Sequence, residues 1–98
     1  MVENYKELYQ LVQAVAKSLH ETDNVALEFQ IAKNGSCMLE HKVNKNRMVF
    51  MMAKLGDEQK VGYAFFEPNE KQPDWIDDIS AAQFDETYLI NLLKADVL

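Results

Sequence analysis

The sequence is poor in the residues that usually announce chemistry, with one cysteine, two histidines and one tryptophan in 98 residues. Cys37 has no partner for an internal disulfide, and His20 and His41 stand too far apart to build a zinc site with it. A disulfide scaffold is thereby excluded, and the expectation is a reducing cytoplasm with no metal and no other cofactor. Glycine-rich phosphate loops, paired cleft carboxylates and a serine or aspartate at triad or elbow spacing are missing as well. No catalytic residues are expected, and the chain reads as a non-enzyme.

Long apolar runs are absent too. None approaches the roughly 18 to 20 residues of a membrane span, and the opening MVENYKELYQ has neither the basic n-region nor the apolar h-region of a secretory signal. The expectation is a soluble protein with no membrane partner. Three glycines, two prolines and no low-complexity segment, against 48% hydrophobic residues, argue against disorder and for one domain over residues 1–98.

Positive charge is scarce where it matters. Residues 1–66 hold eight acids and eight Lys/Arg, whereas residues 67–98 hold eight acids against Lys71 and Lys94, so the whole net charge of −6 lies in the last third. Lys42, Lys45 and Arg47 form the only basic grouping, too little to displace counterions from a phosphate backbone, and nucleic acid is excluded as a partner.

Periodicity supplies the fold. Tyr5, Leu8, Val12, Val15 and Leu19 recur at spacings of three and four, which predicts a helix over residues 3–20. After the turn formers of ETDNV the period drops to two. Val25, Leu27, Phe29 and Ile31 alternate with polar or small residues, then Cys37, Leu39, His41 and Val43 do the same. A two-residue Asn34-Gly35 turn would mix the faces of these strands. A three-residue loop, Lys33-Asn34-Gly35 with Gly35 left-handed, instead sets Leu27, Phe29 and Ile31 opposite His41, Leu39 and Cys37, and is the expected connection.

Beyond the turn NKN, RMVFMMAKL and KVGYAFFE read as two further strands separated by GDEQ and apolar on both faces. The register across Asn44–Asn46 stays open, and with it which methionines are buried. The expectation is an α+β domain: an N-terminal helix, a four-stranded antiparallel meander and a C-terminal helical segment, in a two-layer sandwich. The second face of the third and fourth strands needs cover, either from residues 70–84 folding back or from another molecule.

The stretch QPDWIDDISAAQFDETYL, residues 72 to 89, contains two acidic helix starts on this reading. Asp74 caps a short helix with Asp77 in its first turn and Trp75, Ile76 and Ile79 on one side; Asp85 caps a second, with Glu86 in its first turn and Phe84 packing on Leu89. Capping leaves Asp78, Glu67 and Glu70 without a local role. These three, with Trp75 and Asp77, are the candidate protein-binding residues.

Remaining polar groups read as structural. His41 falls on the core face as a neutral imidazole, and Cys37, four strand positions away, lies about 13 Å from it, beyond hydrogen-bond reach. Met48, Met51 and Met52, with Met38 on the neighbouring strand, read chiefly as core filling. In size and acidity the chain resembles in type the small binding proteins of bacteria and phages, such as inhibitors, immunity and antitoxin-like proteins and adaptors, an analogy that carries over no residues. Three functions follow as expectations: binding a protein with a basic surface through the acidic C-terminal third; a homodimer through the outer face of strands three and four; or a small-ligand pocket near His41 and Tyr63.

Overall fold

The computed structural model describes residues 2–98. Its first element, α1 (Tyr5–Asp23), starts at Asn4, whose side chain accepts the Glu7 N–H at 2.9 Å while the Glu7 carboxylate reaches back to the Glu3 N–H at 2.8 Å. One orphan donor of the first turn is satisfied by the cap, and the N–H of the residue before the cap is satisfied in return. Leu8, Val12, Val15, Ala16 and Leu19 form the buried stripe. The helix runs three residues beyond His20 because its end is set by Asn24 in the left-handed region (φ 55°), whose N–H bonds the Leu19 carbonyl.

Five antiparallel strands follow in sequential order, β1 (Leu27–Ile31), β2 (Cys37–His41), β3 (Arg47–Leu55), β4 (Glu58–Phe66) and β5 (Trp75–Ser80). The β1–β2 register is the expected one, Leu27 opposite His41, Phe29 opposite Leu39 and Ile31 opposite Cys37. Ala32 and Ser36 close the loop with a 2.8 Å backbone bond, and Gly35 takes φ 95° at its end. The next turn begins earlier than NKN: β2 ends at His41, and Val43 stands 81% exposed at the tip instead of continuing the strand. His41 pairs through its backbone with Asn46 at 2.9 Å, so Leu39 faces Met48 and Cys37 faces Phe50. Met48 and Met52 therefore point to the core, Met51 away from it. The third hairpin is tighter than GDEQ implied, a two-residue Gly56-Asp57 connection with φ 63° at the glycine.

The fifth strand corrects the expected helix at Asp74. Residues 75 to 80 pair with β4 from Phe65↔Trp75 to Lys60↔Ser80. β4 is apolar on both faces, as a central strand is, and its outer edge offers a row of unpaired backbone groups. Satisfying that row outweighs the local helix signal of Pro73-Asp74, because the isoleucines and tryptophan of the segment also suit a pleated surface. Asp74 is accordingly not a helix cap, and Asp77 lies in a strand and not in a first helical turn.

A 3₁₀ turn (Ala81–Gln83) then leads into α2 (Glu86–Asp96), capped as expected by Asp85, whose side chain accepts the Tyr88 N–H at 2.8 Å. Both helices lie on the same face of the sheet. Between them and the sheet sits the core of Leu8, Val12, Val15, Leu39, Met48, Phe50, Val61, Phe84, Leu89, Leu93 and Val97. Phe84 meets Phe50 edge-on with ring centroids 6.0 Å apart, and the Tyr63 and Tyr88 hydroxyls bond across the layer. The result is a two-layer α+β sandwich, with one strand more than the sequence pattern indicated. Among the described residues no helix is long and apolar enough to cross a membrane.

Candidate protein-binding surface

Because both helices cover one face, the opposite face of the sheet is left open. Along β3, β4 and β5 the alternation puts Val49 and Met51, Gly62, Ala64 and Phe66, and Ile76 on that open side. Ile76 is 70% exposed and Met51 42%. Glycine and alanine at 62 and 64 lower the middle of the strip into a hollow of about 210 Å³, walled by Val49, Met51, Phe66, Pro73 and Ile76.

One end of the hollow is formed by the β4–β5 connection. Arg47 holds that connection in place. Its guanidinium lies 4.8 Å from the centre of the Phe66 ring and donates to the carbonyls of Glu67 and Glu70. The Glu70 N–H also bonds the Glu67 carbonyl at 3.2 Å, and Asn69 takes φ 65° to close the turn. Beside it lies a second depression, about 240 Å³, lined by Glu67, Glu70, Gln72, Pro73 and Asp74. Pro73 is the wall common to both.

The five sequence candidates do not share one surface. Trp75 is half-buried on the helix side of the sheet, its ring stacked on Phe65 at 6.0 Å and edge-on to Tyr63 at 5.9 Å. Asp77 follows the same parity, whereas Asp78 projects to the open face, where Lys60 pairs with it at 3.1 Å. The same hydrogen bond raises the Lys60 ammonium above its ordinary range. Glu67 and Glu70 are exposed in the β4–β5 connection. Among the described residues Glu67, Glu70, Asp74 and Asp77 have no cationic side chain within ion-pair distance.

The other chemical candidates are occupied structurally. His41 Nδ1 accepts the backbone N–H groups of Val43 at 3.1 Å and Asn44 at 3.3 Å, fixing the β2–β3 turn. Asn44 in turn donates to the Val97 carbonyl at 2.9 Å and ties that turn to the end of α2. Cys37 is buried, and burial pushes its thiol up to about 12.

Sequence reasoning missed Pro73 and Ile76 as surface residues. A signal was present: β3 and β4 are apolar on both faces, so β4 needed a second strand neighbour, and WIDDIS is the only later segment rich enough in β-formers to supply it. Comparisons with protein-family models, with curated proteins and with solved structures return no match to this chain.

Proposed function

We propose that this chain is a non-enzymatic protein-binding module of the cytoplasm, acting as an inhibitor, immunity or antitoxin-like protein or adaptor. The observation that carries the reading is the open face of β3–β5, an apolar strip of Val49, Met51, Phe66 and Ile76 left uncovered by α1 and α2. Contiguous apolar surface rimmed by polar groups is the common mark of an interface. The acidic margin of Glu67, Glu70 and Asp74 favours a partner with a basic surface, since complementary charge speeds encounter and suppresses wrong partners; Asp77 faces the helix side and Asp78 is paired with Lys60, so neither adds free charge to that margin. Trp75 contributes by stiffening the β5 edge from beneath.

A homodimer through the same apolar strip is the second reading, favoured by the exposure of Met51 and Ile76. Two measurements separate them. Photo-crosslinking side chains at positions 51 and 76, with position 10 on the exposed side of α1 as control, should give discrete adducts with another protein from the sheet positions alone. Light scattering at low and high salt should give a monomer. A salt-independent dimer shifts the reading to self-association, and adducts as frequent from position 10 as from 76 remove the open face from consideration.

A further inference from the structure

Gly62 is anomalous in its place. It lies in the interior of β4, between Met51 on β3 and Asp78 on β5, where both ladders run without a bulge. Its φ is not positive, unlike those of Gly35 and Gly56, and a β-carbon built there meets Met51 Cγ at 3.5 Å, an ordinary contact. Neither the backbone nor crowding asks for glycine. Glycine inside a strand weakens it, and its usual justification is the close approach of a ligand or another chain. Here the missing side chain is what opens the floor of the hollow between Met51, Ala64, Phe66, Pro73 and Ile76.

Two features define what fits. An apolar cavity of about 150 Å³ accepts a benzene-sized group, so the 210 Å³ hollow has room for one bulky apolar side chain. Across Pro73, the neighbouring depression presents the carboxylates of Glu67, Glu70 and Asp74; the Arg47 guanidinium is committed to the backbone carbonyls of Glu67 and Glu70, and among the described residues no cationic side chain lies within ion-pair distance of the three carboxylates. Same-side residues of an extended segment stand about 6.6 Å apart, a spacing suited to adjoining sites. A second copy supplies no cation from its own acidic margin, and docking with the two margins facing would set like charges together, so the acids favour a basic segment of another protein.

We infer that the hollow over Gly62 is a recognition socket for a segment of another protein that presents a bulky apolar side chain with Lys or Arg next to it on the same side. This deepens the binding reading above and rests on it. The apolar side chain fills the space over Gly62 and Ala64, and the cation enters between Glu67, Glu70 and Asp74.

The test uses the whole isotope-labelled chain and three ten-residue Gly/Ser peptides: one with central Leu and Arg two residues to either side, one with that Leu replaced by Ala, and one with both Arg replaced by Glu. The first should shift the amide resonances of Gly62, Ala64, Ile76 and Glu70 in a saturable, salt-weakened way, and the other two should bind at least tenfold more weakly. Gly62→Val, which places methyl groups in the hollow, should lower affinity for the first peptide tenfold or more while the thermal midpoint holds or rises; Ala64→Leu repeats the test from the adjacent position. Glu70→Lys with Asp74→Lys should do the same without filling the hollow. Equal binding by the Ala or Glu peptides, shifts mapping elsewhere, no saturable shift at millimolar peptide, or undiminished binding by well-folded Gly62→Val overturns the socket. So does a salt-weakened oligomer abolished by Lys42→Glu with Lys45→Glu, which would make the occupant the Val43 tip of a second copy. If position 76 crosslinks a partner while the peptides fail, the occupant is wrong and the binding surface stands; if both fail, both are lost.

Discussion

The Tyr5 hydroxyl accepts the Met52 N–H at 3.1 Å and faces the Met52 carbonyl at 3.5 Å. Strand β2 pairs with β3 only as far as Phe50, so Met52 lies beyond its reach and a helix side chain takes the place of the missing strand neighbour. Tyr5→Phe removes that acceptor and leaves a part-buried donor unpaired, which should destabilise the chain by about 1 to 2 kcal/mol. Urea unfolding should show a lower midpoint with an unchanged slope.

Gly62→Val should stabilise. The strand gains a β-branched residue, the unfolded chain loses glycine's freedom, and the added β-carbon meets Met51 Cγ at 3.5 Å and the Met51 carbonyl oxygen at 3.9 Å, both ordinary contacts. The expected gain is about 0.5 to 1 kcal/mol, or several degrees in thermal midpoint for a domain of this size. A loss would mean that the glycine serves the fold itself.

Folding separates what could be read in the residues from what could not. Spacing in α1 and alternation in β1 and β2 each report one buried face, and the two-sided apolar runs of β3 and β4 report central strands; these are properties of the segments alone, and so they survive into the structure. The β1–β2 register was legible for the same reason, since only one loop length keeps Leu27, Phe29 and Ile31 with Cys37, Leu39 and His41. β5 was not: Pro73-Asp74 carries a genuine helix-start pattern, and the deciding factor is the open edge of β4, which lies in a different segment of the chain and outside the helix-start pattern itself. That single misreading also hid the site, because a strand sends Asp77 and Asp78 to opposite faces and lifts Ile76 onto the open one.

Alkaline pH should expose the buried thiol. Burial raises Cys37 from an ordinary 9.0 to about 12 in the folded chain. Below about pH 9 both states keep the proton, and the site adds no pH dependence. Between about 9 and 12 only the unfolded chain releases it, so stability should fall by up to about 1.4 kcal/mol per pH unit across that window. Tyr63, raised by burial and by the Tyr88 hydroxyl, loses stability in the same direction above the usual tyrosine range. Cys37→Ala should flatten the decline between pH 9 and 12, measured by urea unfolding at each pH; an unchanged slope assigns the effect elsewhere. Thiol reagents should modify the native chain only as fast as it opens.

The acids of β5 guard an edge. Charged side chains on an edge strand hinder pairing with a second copy, and Asp77 and Asp78 sit at the centre of β5, one on each face. Asp77→Thr with Asp78→Thr should leave the monomer folded while promoting edge-to-edge association, seen as a concentration-dependent rise in mass by light scattering. A variant that stays monomeric at the highest concentrations would assign the two aspartates to recognition alone.

Lys45 occupies the left-handed region at φ 68° in the β2–β3 turn. Replacing it with glycine relieves a strain of about 1 kcal/mol or more, partly offset by the freer unfolded chain. Lys45→Gly should therefore raise stability by a few tenths to about 1 kcal/mol, read from the urea midpoint. A drop would show that the lysine stem contributes packing.

The sequential order of the sheet has a consequence for how the chain reaches its shape. Every strand pairs with its neighbour in sequence, so the five can assemble hairpin by hairpin, the kind of local topology that closes quickly. The second helix is different. Leu89, Leu93 and Val97 pack beneath Phe50 and Val61 from a segment distant in sequence, and the tie from Asn44 to Val97 forms only with them. A chain in which α2 is undocked has only α1 over that face, a state more exposed to aggregation and to chaperones. A sheet whose other face carries no element of this chain thus depends on α2 to become merely one-sided.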